Sequence, residues 1–114
     1  ASGSAEWDAM VVVPASMGSV GRIASGVSLS LIERTADVML KERRKLILVV
    51  RENPYSLIHL RNMTTLTEAG AIVMPASPSF YSHPTDIEQA TLTVVERVVA
   101  HMGITSPHYS FSGK

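Results

Sequence analysis

Three short runs of consecutive apolar residues punctuate the chain: Met10 to Val13, Leu46 to Val50 and Ala71 to Met74. None alternates with polar positions, so they have the pattern of parallel strands covered on both faces rather than of hairpin strands with one wet face. The segments between them run to roughly 20–30 residues, room for a helical crossover and far too much for a hairpin. Leu31-Ile32 and Val38-Met39, with Asp37 and Lys41 four apart, predict an amphipathic helix reaching about Arg43. Ser56 is placed to cap a helix carrying Leu57, Leu60, Met63 and Leu66 on one stripe, with Gly70 just past its end. Thr85-Asp86-Ile87-Glu88 has the form of a capping box for a last helix that buries Ile87, Val94, Val95, Val98 and Met102 before Gly103 stops it. The stretch Ser16 to Val27 is ambiguous. Gly18, Gly21 and Gly26 weaken it as a helix and equally suit close approach of the backbone to a ligand or a strand. Strands alternating with helices make the expected fold a parallel α/β one.

Composition narrows the function more than the fold. The 114 residues carry ten basic and ten acidic side chains, a formal net charge of zero, so no polyanion partner, nucleic acid or anionic membrane surface is indicated. No apolar run approaches the roughly 18 residues of a membrane span. With no cysteine there is no disulfide framework, thiolate nucleophile or cysteine metal site, and the expected setting is cytoplasmic. Ala1 to Ala5 lacks the basic and apolar regions of a signal peptide. One domain part over residues 1–104 and a polar tail over 105–114 are expected.

The three strands run out into similar polar, proline-bearing segments, which are Pro14 to Ser19, Arg51-Glu52-Asn53-Pro54, and Pro75 to Pro84. In a parallel sheet these carboxyl ends share one edge, where α/β folds place ligands. The first loop, Ser16-Met17-Gly18-Ser19, offers backbone N–H groups to an anion or ring carbonyl, although an ordinary strand-to-helix turn has the same composition. Arg51 and Glu52 are charges at the end of a covered strand, where they either meet a ligand or lie solvated in the loop. Arg34 and Lys41, seven apart, share a helical face that periodicity alone assigns to solvent. Arg97 flanks the apolar stripe of the last helix, as a snorkelling arginine does. Tyr81 is either a packing residue or a hydroxyl donor. The run Lys41 to Lys45 suits a solvated helix end complementing the dipole. The four histidines have no metal-ligand spacing, and no metal is expected.

The block Arg51 to Met63 resembles, nearly letter for letter, the RE-x-P-x-S-x-x-HL-x-NM signature of the UbiX/Pad-type flavin prenyltransferases. Ala36-Asp37-Val38, Leu40 to Arg44, Glu68 to Ala71, Phe80-Tyr81 and His83-Pro84 continue the similarity in order, from Ala1 to about Ile104. The resemblance implies a Rossmann-like, flavodoxin-like three-layer fold, of which this chain is the carboxyl-terminal half. It implies transfer of a dimethylallyl group from dimethylallyl phosphate to reduced FMN without a metal. The product is the cofactor of UbiD-type decarboxylases, and the enzyme is a homo-oligomer, commonly a dodecamer.

Carried over by resemblance, Ser16, Met17, Gly18 and Ser19 form the flavin-contacting loop and Arg51 binds flavin. Glu52 moves a proton, Lys41, Tyr81 and Arg97 hold the prenyl phosphate, and Arg34 is a further active-site arginine. Three features depart from the family pattern. Leu29-Ser30 stands where an Asp-Asn-like pair is frequent, and the tail holds no tryptophan. The Gly-Ala-Ser-Gly phosphate loop is absent, so the amino-terminal half of the domain is expected as a separate partner. A flavin-dependent cysteine decarboxylase of the same superfamily, suggested by Pro14-Ala15-Ser16, and a non-catalytic flavin-binding subunit are the competing readings.

Overall fold

A computed structural model describes residues 9–77 and 86–103. They form β1 (Ala9–Ala15), α1 (Met17–Ser25), α2 (Leu31–Lys41), β2 (Lys45–Val50), α3 (Leu57–Glu68), β3 (Ile72–Pro75) and α4 (Ile87–Met102). The chain divides into two compact units, Ala1–Pro75 with the sheet and its helices, and Ala76–Lys114 with α4.

The sheet is parallel throughout, in the order β1-β2-β3. From Leu46 to Val50 every β2 residue is buried, as the unbroken apolar run requires of a central strand. Leu46, Leu48 and Val50 point into one core with Val12, Val20, Ile23, Ala36, Met39 and Leu66, so α1, α2 and α3 all contribute to it. Ile47 and Val49, which alternate to the opposite face, are fully buried as well. Beside β2, the β1 register slips between Val12 and Ala15, where Pro14 has no N–H to give a ladder.

The ambiguous glycine-rich segment is helical. Ser16 accepts the Ser19 N–H at 3.0 Å to open α1, and Gly26, at φ 77°, closes it. Gly21 is where α1 and α3 approach: a Cβ there would lie 3.2 Å from the Asn62 amide nitrogen. The α2 helix stops at Lys41 rather than Arg43, because Arg43 turns to φ 60° and lets the Arg44 N–H reach Met39 O at 2.8 Å. The expected Asp37–Lys41 tether does not form; the described ion pairs join Arg44 to Glu42 and Arg22 to Glu33.

In α3 the Ser56 cap is a full capping box, His59 Nδ1 accepting the Ser56 N–H while Ser56 Oγ accepts that of His59. Its apolar stripe divides. Leu66 is buried and Met63 packs on the core, whereas Leu57 and Leu60 are exposed. The cap of α4 is Asp86, accepting from Gln89 at 2.8 Å, one residue later than the Thr85 box. Of the stripe expected to be buried, Val98 is, while Ile87 is 84% exposed at the first turn.

Candidate functional site

Parallel pairing decides which loops meet. Ala15 and Val50 are register partners on neighbouring strands, so Ser16 and Arg51, the next residues on each, leave the same edge of the sheet side by side. The Ser16–Ser19 turn and the Arg51-Glu52 pair therefore share one crevice. At the start of α1 the Met17 and Gly18 N–H groups have no intrahelical acceptor and are available to an incoming oxygen or ring nitrogen. Arg51 and Glu52 are both exposed, so their charges are solvated here rather than paired at the strand end.

Starting at this edge, α1 along its whole length and the first half of α3 bound a groove of about 430 Å³, lined by Met17, Gly18, Arg22, Ser25, Ile58 and Asn62 among others. At Gly18 a Cβ would stand 3.4 Å from an Arg22 guanidinium nitrogen, an ordinary contact. With Nδ1 engaged by the Ser56 N–H, neutral His59 carries its proton on Nε2.

The strongest electrostatic feature was not anticipated. Glu33, on the first turn of α2, is 2% exposed and is the buried charged side chain among the described residues. Its Oε2 accepts from Arg22 Nε at 2.8 Å and from the Ser19 hydroxyl at 3.0 Å, and lies 2.7 Å from Arg22 Nη2. Its Oε1 accepts the Leu29 N–H at 2.9 Å. The Arg22 guanidinium, then the Leu29 N–H and the Ser19 hydroxyl, hold the carboxyl down to about 2 from an ordinary 4.5, against the opposing pull of desolvation. Arg22 is raised in turn, first by its hydrogen bond to Glu33. A signal for Glu33 existed, since Ser30-Leu31-Ile32-Glu33 has the spacing of a capping box. Ser30 does cap α2 through the Glu33 N–H at 3.1 Å, but the carboxylate turns away to Leu29, Ser19 and Arg22.

Arg34 is exposed on the first turn of α2. Lys41 is exposed at the last turn, shortly before β2 begins, and so sits at the opposite edge of the sheet from Arg51. Six strand residues separate the two edges, about 20 Å. Within one copy Lys41 does not join Ser16 and Arg51. Arg97 is exposed on α4 in the second unit. Tyr81 lies outside the described residues. Among the described residues no group of three His, Asp or Glu side chains could hold a metal ion.

Known proteins are similar to this chain over most of its length. The flavin prenyltransferase UbiX of Pseudomonas aeruginosa is 49% identical over 104 residues, covering 91% of this chain and 50% of the relative. That of Methanocaldococcus jannaschii is 51% identical, covering 91% and 56%. The chain thus spans about half the length of these curated relatives. A crystal structure of AnUbiX (PadA1) in complex with FMN and dimethylallyl pyrophosphate superposes with a TM-score of 0.89 at 45% identity, covering 99% of this chain and 60% of that one. A dodecameric FMN-dependent UbiX-like decarboxylase from Escherichia coli O157:H7 gives 0.88 at 43%, covering 96% and 59%. The model of the family described as Flavoprotein matches residues 1–103, and with the parallel sheet and its shared loop edge in place, the chain belongs to that family.

Proposed function

We propose that this chain contributes to a flavin prenyltransferase, which moves a dimethylallyl group from a dimethylallyl phosphate ester to reduced FMN. The observation that carries the reading is the pairing of the Ser16–Ser19 turn with Arg51-Glu52 on one sheet edge, in a chain about half identical to UbiX proteins over its matched length. The residues present suit the flavin: Met17 and Gly18 N–H groups for its ring acceptors, and an exposed Arg51 cation beside them. Reduced FMN supplies the nucleophilic ring. Arg51 orients it, and Glu52, solvated and at the same edge, takes the proton released when the new carbon bond forms.

Departure of the phosphate needs cations and hydroxyls poised on the growing negative charge, the role assigned to Lys41, Tyr81 and Arg97, with Arg34 as a further active-site arginine. Since Lys41 sits at the far edge of its own sheet, it reaches a phosphate only from another copy, which favours active sites at subunit junctions in a homo-oligomer. A dodecamer, a cytoplasmic setting and a UbiD-type decarboxylase as consumer of the product belong to the same proposal.

The test is anaerobic incubation of the protein with reduced FMN and dimethylallyl phosphate, followed by mass and absorbance of the flavin. A flavin heavier by one prenyl unit is expected. Glu52→Gln should retain flavin binding while slowing product formation, because the shape survives and the base does not. Unmodified flavin throughout would refute the reading; unchanged turnover in Glu52→Gln would leave Glu52 no part in the chemistry.

A further inference from the structure

Apart from Met17 and Gly18, no residue of the groove between α1 and α3 enters the proposed reaction. Its lining is chemically one-sided. Arg22, His59 and Asn62 line it from the two helices, Met17, Val27 and Ile58 give it apolar wall, and none of its lining residues is acidic. Val27 and Ile58 are exposed, so this wall is apolar surface for a ligand to cover. His59 uses Nδ1 to accept the Ser56 N–H, which leaves its other ring nitrogen as a donor.

Arg22 is fixed from behind. Its Nε and Nη2 both meet Glu33 Oε2, at 2.8 and 2.7 Å, and Glu33 is 2% exposed and outside the lining. The Nε side of the guanidinium is thereby taken, while Nη1 stays outside the pair and the side chain is 38% exposed. Nη1 and the outer proton of Nη2 form a planar pair of donors, which a carboxylate accepts with both oxygens. Asn62 adds a further N–H donor against α1, since its amide nitrogen would lie 3.2 Å from a Cβ on Gly21, the neighbour of Arg22.

Charge decides which anion suits these donors. Glu33 cancels the Arg22 charge and neutral His59 adds none, so the groove is rich in donors and poor in net field. A phosphate dianion leaving water needs compensating positive charge, whereas a monocarboxylate is satisfied by well-directed donors. The apolar wall then calls for a hydrocarbon body on that carboxylate. A volume of about 430 Å³ is that of a small-molecule site, and α1 offers it a length of about 12 Å from Met17 to Ser25. We propose that this groove binds a small organic monocarboxylate, its carboxylate on Arg22 and Asn62 and its apolar body along Met17, Val27 and Ile58, with Glu33 as the positioning residue for Arg22. Flavin binding at the strand edge is not required for it.

The experiment is saturation-transfer NMR of the full chain with hexanoate, hexan-1-ol and inorganic phosphate as probes. Hexanoate is expected to saturate with a Kd of about 1 mM, as suits a ligand of so few atoms. Hexan-1-ol, with the same tail, should bind about tenfold more weakly, because nothing replaces the carboxylate on the guanidinium. Phosphate should not displace hexanoate. Asn62→Asp sets a like charge beside the carboxylate, and Arg22→Lys keeps a cation for Glu33 but loses the planar fork. Each should weaken hexanoate by about tenfold or more. Should Arg22→Lys fail to fold, Asn62→Asp decides alone. The inference is overturned by the lack of a saturable hexanoate signal, by equal binding of hexan-1-ol, or by displacement with phosphate. Hexanoate binding that survives Asn62→Asp, or that is lost in Arg51→Gln, would place the acid elsewhere and overturn it too.

Discussion

At Glu33 one carboxylate, almost out of solvent, gathers a hydroxyl, a guanidinium and a backbone N–H from three places in the chain. It ties the start of α1, the α1–α2 loop and the start of α2 into one corner. Because its folded-state pKa is depressed, the ionised form is favoured by folding, and the stabilisation is fully present above about pH 4.5. It is lost as pH falls through about 2. Glu33→Gln should therefore lower stability at neutral pH, and the gap from the parent protein should narrow steadily between pH 4.5 and 2. Urea unfolding midpoints across that range supply the measurement. Parallel curves down to pH 2 would mean that the carboxylate contributes nothing beyond what its amide can.

Among the elements, each described helix is followed by a residue in the left-handed region, and one of these residues is poorly suited to it. After α1, α3 and α4 the position belongs to Gly26, Gly70 and Gly103, at φ 77°, 110° and 82°. After α2 it belongs to Arg43 at φ 60°, where its Cβ crowds the following carbonyl. An L-residue in that conformation costs about 1–2 kcal/mol, and glycine gives back part of it through its looser unfolded chain. Arg43→Gly is thus expected to stabilise the protein by roughly 0.5–1 kcal/mol. Denaturant titration reads this directly, and a loss of stability would assign the Arg43 side chain a favourable role that outweighs the strain. Elsewhere in α3, Thr64, Thr65 and Thr67 return their hydroxyls to carbonyls one turn back, so β-branched polar residues persist there without exposed unsatisfied groups.

On the scale of the whole molecule, much apolar surface is left facing outward. Leu29, Leu31 and Ile32 are exposed around the start of α2, and Leu57, Ile58 and Leu60 around the start of α3. Among the described residues β1 has a strand neighbour on one side only, β2, so an apolar edge is open to pairing. Scattered exposed leucines are ordinary, but two such clusters together with an open strand edge favour association. The chain is expected to sediment as an assembly rather than as a monomer. Leu57→Lys together with Leu60→Lys, on the solvent side of α3, should shift it toward smaller species while Leu66 keeps the helix docked. A compact monomer at micromolar concentration would show that these residues remain solvated.

The strands, the cap at Ser56, and the shared loop edge were legible in order and type because each rests on local information: an unbroken apolar run, a hydroxyl before a helix, parallel crossovers of sufficient length. The chain by itself also carried the Arg51-Glu52 motif and the positions that the resemblance marks. It did not reveal which half of an amphipathic stripe is buried, since Leu57 and Leu66 read alike until the angle at which α3 meets the core sets one in and one out. Nor did it reveal the placement of Lys41 at the far edge, which follows from α2 running back along the sheet. The Glu33 cluster was tertiary in the strictest sense. Its partners Ser19 and Arg22 lie 14 and 11 residues away, and only the turn at Gly26 and Val27 brings two helix starts close enough for a buried carboxylate to be satisfied. A charge's cost of burial depends on what surrounds it in space, and that is information that spacing along a chain does not contain.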